Sequence, residues 1–229
     1  MLSVNVRYEE KNTHSTDVLV IKNMYIKLLW LRCLTAWIGS LIMAASASYG
    51  QHQSENANID IVMLGDSITQ AGPWNSLFPN AQILNRGVSG YSTYDILREI
   101  NTTVEIRPRK VFLMIGINDL LRGASVEETF DRYRIIVDTL QKAGIKVYMQ
   151  ATIECARAQC GAIVDQVRSL NEKLKRVAQM RGLTWIDLNS GLTSQTQGLL
   201  ERYTTDGLHL TVPAYKYWAE QIGKHIIGI

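Results

Sequence analysis

The sequence predicts an α/β fold in which a parallel β-sheet lies between two layers of helices. Three observations predict it: five short apolar runs recur along the chain, amphipathic stretches separate them, and 229 residues suit one domain with a sizeable core. Strands that alternate with helices form βαβ units, which make the strands parallel and cover both faces of the sheet. Ligands bind such sheets beyond the carboxyl ends of the strands, so functional residues are expected in the loops that follow each strand.

The predicted strands are short apolar runs of the kind found in buried parallel sheets. The first, IDIVMLG, is continuously apolar and ends in glycine. In chain order the five runs cover residues 59–65, 81–85, 110–116, 146–152 and 183–188.

The predicted helices carry apolar residues at steps of three and four, which place those residues on one face of each helix. The last one begins at a proline, which the first turn of a helix tolerates. These helices cover residues 94–104, 126–143, about 162–181 and 213–227.

Composition and charge exclude several classes of protein. With 46% hydrophobic and 20% charged residues, the chain is neither disordered nor a disulfide-scaffold miniprotein. The formal net charge is +3, but the excess lies mostly in residues 1–47, and the remainder is close to neutral. Nucleic-acid binding therefore has no electrostatic support.

The N-terminal region has the pattern of a secretory signal. An apolar stretch, Cys33–Ala45, follows Lys27 and Arg32, and small residues up to Ala47 provide a cleavage site. The stretch is too short to span a bilayer as a helix, although a span over 28–45 that includes Arg32 remains the alternative. We expect a secreted or periplasmic protein with no stable membrane span after cleavage.

The chain therefore divides into three predicted segments. Residues 1–47 are an N-terminal extension plus signal, with Met24 as an alternative start, because an ordinary signal would begin there. Residues 48–58 are a polar linker, and residues 59–229 are the folded domain.

Two cysteines, Cys155 and Cys160, remain after removal of the signal. An even pair in an oxidising compartment favours a disulfide, and two free thiols are the alternative. Two cysteines with no histidine nearby make a poor zinc site, so no metal is expected.

Candidate catalytic residues follow the predicted strands. Ser67 comes directly after the first strand, and Asn118 follows the third. Asp206 and His209 follow the fifth strand at a three-residue step, so the carboxylate could orient the imidazole as a base for Ser67. Taken singly, each has a plain structural reading as a helix cap, a turn or a solvated side chain.

Taken together, these residues supply what acyl transfer by serine requires. Ser67 would be the nucleophile, His209 the base and Asp206 the orienting acid. The Asn118 amide and the backbone N–H groups of Gly87 and Ser67 would bind the developing oxyanion.

The chain resembles the SGNH hydrolase superfamily, the GDSL esterases, through four blocks in the family's order. The blocks are GDSIT (65–69), NRGVSG (85–90), GIND (116–119) and DGLHL (206–210). The resemblance implies a flavodoxin-like, three-layer fold, the catalytic and oxyanion roles given above, and no metal or organic cofactor. Within the superfamily, the stretches 77–97 and 110–123 are similar to platelet-activating-factor acetylhydrolase catalytic subunits and bacterial acetylesterases.

These observations lead to the expectation of an esterase that removes short acyl groups, acetyl above all, from a small molecule or a carbohydrate. No apolar insertion is large enough for a lid or a long acyl tunnel. Trp74 is a candidate wall of the substrate pocket, with a place in the core as the alternative. The alternative functions are a lysophospholipase or thioesterase for longer chains, and a non-catalytic binding protein of the same fold. The sequence leaves the oligomeric state open.

Overall fold

A five-stranded parallel sheet forms the centre of the computed structural model, which describes residues 59–227. Its strands are β1 (Ile61–Gly65), β2 (Ile83–Gly87), β3 (Lys110–Met114), β4 (Lys146–Gln150) and β5 (Thr184–Ile186). They are ordered β2-β1-β3-β4-β5, and every neighbouring pair is parallel. The predicted fold class is confirmed, whereas the predicted extension, signal and linker lie outside the described residues.

Helices connect the strands. In chain order they are α1 (Ser67–Gln70), α2 (Trp74–Leu77), α3 (Thr93–Ile106), α4 (Ile117–Leu121), α5 (Val126–Lys142), α6 (Arg157–Cys160), α7 (Ile163–Met180), α8 (Asn189–Leu192) and α9 (Val212–Ile227). The four long helices are those that the apolar periodicity predicts, and their ends differ from the prediction by at most two residues.

Local signals explain where the long helices begin and end. Ser92 and Ser125 begin α3 and α5 with capping boxes, in which Asp95 and Glu128 bond back to the backbone of the cap. Gly144 follows α5 with φ of 78°, a conformation that glycine adopts without strain.

The inner strands are more deeply buried than the edge strands. Every residue of β1 and β3 is buried because helices cover both faces of the sheet. In β2, by contrast, Ile83 and Leu84 are only partly buried and Asn85 is exposed. The interpretation of 81–85 as a fully buried strand is wrong, since β2 lies at the edge of the sheet.

The loops that follow the strands hold the candidate functional residues at one edge of the sheet. Beyond β5 the chain adds a small antiparallel hairpin, β6 (Thr193–Ser194) and β7 (Gly198–Leu199), and a 3₁₀ turn, Glu201–Tyr203, before it enters α9. Among residues 59–227, no helix is both long enough and apolar enough to cross a membrane.

Candidate active site

Ser67 lies at the start of α1, directly after an inner strand of the sheet. The chain turns sharply there, and Gly65 allows the turn, since a Cβ at that position would lie 2.2 Å from Thr69 Oγ1. Asp66 caps the helix because its Oδ1 accepts the Ile68 N–H at 3.0 Å. Together these contacts fix Ser67 at the carboxyl edge of β1.

Asp206 and His209 lie in one loop that is closed by its own hydrogen bonds. Asp206 Oδ1 accepts the N–H groups of Leu208 at 2.9 Å and His209 at 2.7 Å. The Thr204 hydroxyl donates to the His209 carbonyl oxygen at 2.8 Å and accepts the Gly207 N–H at 2.9 Å. Gly207 has φ of 87°, which favours glycine. We call residues 204–210 the acid–base loop.

Ser67, His209 and Asp206 form a continuous hydrogen-bonded line. Ser67 Oγ lies 3.1 Å from His209 Nε2, although 142 residues separate the two in the sequence. His209 Nδ1 lies 2.6 Å from Asp206 Oδ2. A neutral imidazole that donates from Nδ1 to Asp206 presents Nε2 as an acceptor for the serine proton. The fold thus brings together the three side chains that the sequence assigns to catalysis.

The Asp206 carboxyl is held in its ionised form. Partial burial raises its pKa, but hydrogen bonds from the His209 ring and from the N–H groups of His209 and Leu208 outweigh burial and lower the pKa to about 2. A carboxylate beside Nδ1 fixes the imidazole tautomer and stabilises the imidazolium that forms when Nε2 takes a proton.

Asp66 is a second carboxyl beside Ser67, in a very different environment. It is fully buried, and its Oδ2 has no hydrogen-bond partner among the described residues. Burial raises its pKa from the ordinary 3.8 to about 7, against the opposing effect of the backbone N–H groups of Ile68 and Thr69. Asp66 therefore exchanges its proton near neutral pH, whereas Asp206 is already ionised there.

The Gly87 N–H is not free to bind an oxyanion, which corrects the prediction for this residue. It donates to Asn85 Oδ1 at 2.9 Å. Gly87 has a packing role, because a Cβ there would lie 2.2 Å from the Gln70 backbone nitrogen. A side chain at this position would push β2 away from α1.

Gly90, three residues further on, is the better candidate donor. The N–H groups of Val88 and Tyr91 are used within the protein, whereas those of Ser89 and Gly90 have no acceptor among residues 59–227. Asn118 Nδ2 donates to the carbonyl oxygen of Tyr91 at 2.9 Å. Of the two residues with a free N–H, Gly90 is the one bonded directly to Tyr91 in the chain. Gly90 has φ of 77°, a conformation that favours glycine.

Asn118 and the Ser67 backbone are the other candidate oxyanion donors. One N–H of the Asn118 amide donates to the Tyr91 carbonyl oxygen. In the described part of the chain, the second N–H of this amide and the Ser67 backbone N–H have no acceptor. The next residue, Asp119, is buried and accepts the Thr93 N–H at 2.8 Å, which ties the start of α4 to the start of α3. The position of Asn118 is thus fixed from both helices.

Arg122 binds the carbonyl oxygen of Gly90. Its guanidinium donates to the Gly90 carbonyl oxygen at 2.6 Å and lies 3.7 Å from the Asp95 carboxylate. A carbonyl bound in this way orients its own residue, and the sequence motifs do not indicate this role for Arg122.

Trp74 lies in the core, which corrects its assignment as a candidate pocket wall. Its side chain is 2% exposed, and its ring packs edge-on against Trp218 with the centroids 4.9 Å apart. An indole enclosed in this way is closed to substrate. Its Nε1 donates to the Thr69 carbonyl oxygen at 2.9 Å and so supports the turn that carries Ser67.

Cys155 and Cys160 are bonded to each other, with their Cα atoms 6.2 Å apart. The bond closes a short loop that contains α6, and this loop lies against the acid–base loop, because the Ala156 N–H donates to the Gly207 carbonyl oxygen at 2.6 Å. Residues 59–227 contain no group of three or more His, Cys, Asp or Glu side chains arranged to hold a metal ion.

Solved structures share this fold. A GDSL-like lipase from Bacteroides thetaiotaomicron superposes with a TM-score of 0.68 at 22% identity, over 79% of this chain and 97% of that one. An acetyl xylan esterase superposes with a TM-score of 0.63 at 19% identity, over 73% of this chain and 99% of the other. At these identities the likeness establishes the fold alone.

The curated relatives that the chain matches are much longer proteins. An N-acylneuraminate cytidylyltransferase from Streptococcus agalactiae serotype V is 26% identical over 159 residues, which are 69% of this chain and 37% of that protein. The chain thus spans little more than a third of the length of this relative.

The sequence model of the GDSL-like lipase/acylhydrolase family matches residues 63–217, which include Ser67, Asn118, Asp206 and His209. The chain belongs to the GDSL-like lipase/acylhydrolase family.

Proposed function

We propose that this protein is a serine esterase that hydrolyses short-chain acyl esters, in particular acetyl esters of a carbohydrate. One observation carries the proposal: the hydrogen-bonded line from Ser67 Oγ through the His209 ring to the ionised Asp206. Serine is a weak nucleophile until an adjacent base removes its proton, and this line supplies the base together with the group that orients it.

In the first half of the reaction, Ser67 Oγ attacks the ester carbonyl carbon while its proton moves to His209 Nε2. The carbonyl oxygen becomes an oxyanion, and the free N–H groups of Ser67, Gly90 and Asn118 are its donors. Collapse of this intermediate breaks the bond to the leaving oxygen, and His209 Nε2 returns the proton to that oxygen, which releases the alcohol and leaves an acyl-serine.

In the second half, water takes the place of the alcohol. His209 removes a proton from the water as its oxygen attacks the acyl carbon, the same donors bind the second oxyanion, and the proton goes to Ser67 Oγ as the acid departs. The enzyme is regenerated, and one ester plus one water gives one alcohol plus one acid.

The proposal of a short acyl group on a sugar has two supports. The matched region contains no insertion long enough to form a lid over an extended acyl chain. One of the proteins that share the fold is named for acetyl xylan, which is an acetylated carbohydrate.

The serine assignment is tested by covalent labelling with a fluorophosphonate, followed by intact mass measurement and peptide mapping. We expect one adduct, on Ser67, and none in Ser67→Ala, which also loses hydrolysis of nitrophenyl acetate. Ser76→Ala, which removes an exposed serine of α2, is the matched control and should label like the wild type. Folded wild-type protein that takes no label would favour a non-catalytic binding protein.

The acyl preference is tested with nitrophenyl esters from acetate to octanoate. We expect kcat/KM to be highest for the shortest chains. A maximum at octanoate would instead support a lysophospholipase or thioesterase.

We also propose that the protein is exported and that its signal is removed near Ala47. The bonded pair Cys155–Cys160 supports this proposal, since disulfides persist in oxidising compartments. N-terminal sequencing of the mature protein should begin at Ser48. Uncleaved protein in the membrane fraction would contradict the proposal.

A further inference from the structure

A groove of about 650 Å³ lies beside the acid–base loop, between that loop, α6 and the β6–β7 turn. We call it the acid-side groove. Ala156 and Leu199 contribute apolar surface to it, and Asp206 is one of its polar lining residues. Its volume is within the range of small-molecule sites, roughly 300–1,000 Å³.

The chemistry of the proposed reaction directs the leaving alcohol toward this groove. The leaving oxygen must take its proton from His209 Nε2, so it departs on the histidine side of the acyl carbon. The other nitrogen of the same ring bonds to Asp206 Oδ2 at 2.6 Å. An alcohol that extends past the imidazole therefore reaches Asp206, which is separated from Ser67 by the imidazole ring and lines the acid-side groove.

The groove is lined by uncharged polar side chains that are free of hydrogen bonds within residues 59–227. Gln159, Thr196, Gln197 and Thr205 all line it and are exposed, and their side chains make no hydrogen bond with any described residue. Amide and hydroxyl groups both donate and accept, as the hydroxyls of a sugar do. Such a lining can bind several hydroxyls of one ligand.

The charges at the groove select against an anion. Arg157 lines it, but both terminal nitrogens of its guanidinium bond to Asp165, at 2.9 and 2.6 Å. The other charged residues of the lining are Glu201 and Asp206, both carboxylic acids. A carboxylated sugar would meet like charge here, whereas an uncharged one would not.

Backbone contacts hold the walls of the groove in place. The Arg157 N–H donates to the Gln197 carbonyl oxygen at 2.7 Å, and the Leu199 N–H donates to that of Cys155 at 3.1 Å. At Gly198, φ is 66° and a Cβ would lie 2.4 Å from the Cys155 carbonyl oxygen, so the hairpin lies directly against the disulfide loop. A groove built in this way loses little entropy when a ligand binds.

We infer that the acid-side groove binds the alcohol part of the ester, and that this part is an uncharged, hydroxyl-rich group such as a neutral sugar. This inference rests on the proposed function, because it takes Ser67 as the nucleophile and His209 as the donor to the leaving oxygen.

The test compares two acetyl esters that differ in the alcohol: nitrophenyl acetate and a monoacetylated neutral disaccharide. We expect Thr196→Ala/Gln197→Ala to lower the ratio of kcat/KM for the sugar ester to kcat/KM for nitrophenyl acetate by about tenfold, because hydrogen bonds to the sugar are lost. Gln141→Ala, an exposed glutamine at the end of α5, is the matched control and should leave the ratio unchanged. An unchanged ratio in the double variant overturns the inference.

Charge selection is tested separately with Glu201→Gln. We expect this variant to raise kcat/KM for an acetylated, carboxylated sugar relative to the neutral one by about threefold, since one repulsive charge is removed. No change in this preference overturns the assignment of an uncharged ligand.

The experiments distinguish refutation of the groove inference from refutation of the proposed esterase function. Wild-type protein that hydrolyses nitrophenyl acetate but not the sugar ester overturns the groove inference and leaves the esterase in place. Protein that hydrolyses neither overturns the proposed function, and the groove is then tested by NMR titration with the unacetylated disaccharide. Shifts at the amides of Thr196 and Gln197 support the groove, and their absence overturns it.

Discussion

Replacing Asp66 with asparagine should remove the contribution of this carboxyl group to the pH dependence of the unfolding free energy. The folded protein holds this carboxyl with a pKa of about 7, against 3.8 for the ordinary group. With about 1.36 kcal/mol for each pKa unit, that difference corresponds to about 4 kcal/mol of unfolding free energy. The side chain is fully buried, so solvent provides little screening.

The direction follows from which state holds the proton more tightly. Between pH 4 and 7 the folded protein keeps the Asp66 proton and the unfolded chain releases it, so this contribution to stability is fully present below about pH 4 and is lost as the pH rises to about 7. Above that pH both states are ionised and the contribution no longer changes. Asparagine cannot ionise, and its side-chain oxygen can still accept the Ile68 N–H.

Urea denaturation followed by tryptophan fluorescence, from pH 4 to 8, measures the effect. The difference in unfolding free energy, wild type minus Asp66→Asn, should fall by about 4 kcal/mol over this range, while other ionisable groups cancel in the difference. Asp131→Asn, at an exposed position of α5, serves as the control for loss of a surface carboxylate. A difference for Asp66→Asn that stays constant within about 1 kcal/mol would refute the reasoning.

Three further predictions concern residues that the structure places around the site. Asn118→Ala should lower kcat by roughly 10²–10³-fold on nitrophenyl acetate through loss of an oxyanion donor, and an unchanged kcat would exclude that role. Arg122→Ala should lower kcat about fivefold with little change in KM, because the Gly90 carbonyl loses its anchor; a raised KM with unchanged kcat would point to substrate binding instead. Cys155→Ala/Cys160→Ala should lower the unfolding free energy by about 2 kcal/mol and Tm by about 4–8 °C in calorimetry, and an unchanged Tm would argue against the bond.

The sequence predicts the long elements well because each carries a repeated physical signal. Strands such as β3 are apolar throughout, and helices such as α7 repeat apolar residues over several turns. The short helices were not predicted because four or five residues complete little more than one turn and show no period. The exposure of β2 was not predictable either, since strand order is a property of the whole sheet.

Some residues of the candidate site are likewise predictable from the sequence, and others are not. His209 is identifiable because the predicted domain contains only two histidines, and Ser67 and Asp206 are identifiable because they follow predicted strands. The choice between Gly87 and Gly90 depends on which N–H remains free after the loop has folded, and Asn85 decides this by bonding to Gly87. Composition and spacing do not carry such information.

The hydrogen bonds within the acid–base loop affect how activity is expected to be lost on heating. Because the loop maintains its own shape, the pairing of acid with base survives even when the loop moves as a unit. Of the two hydrogen bonds that join Ser67, His209 and Asp206, only the one between Ser67 Oγ and His209 Nε2 depends on the rest of the fold. Thermal inactivation should therefore begin with detachment of this loop, at a temperature below that at which the sheet melts, and should reverse on cooling. The gap between the two midpoints would measure how firmly the loop is attached.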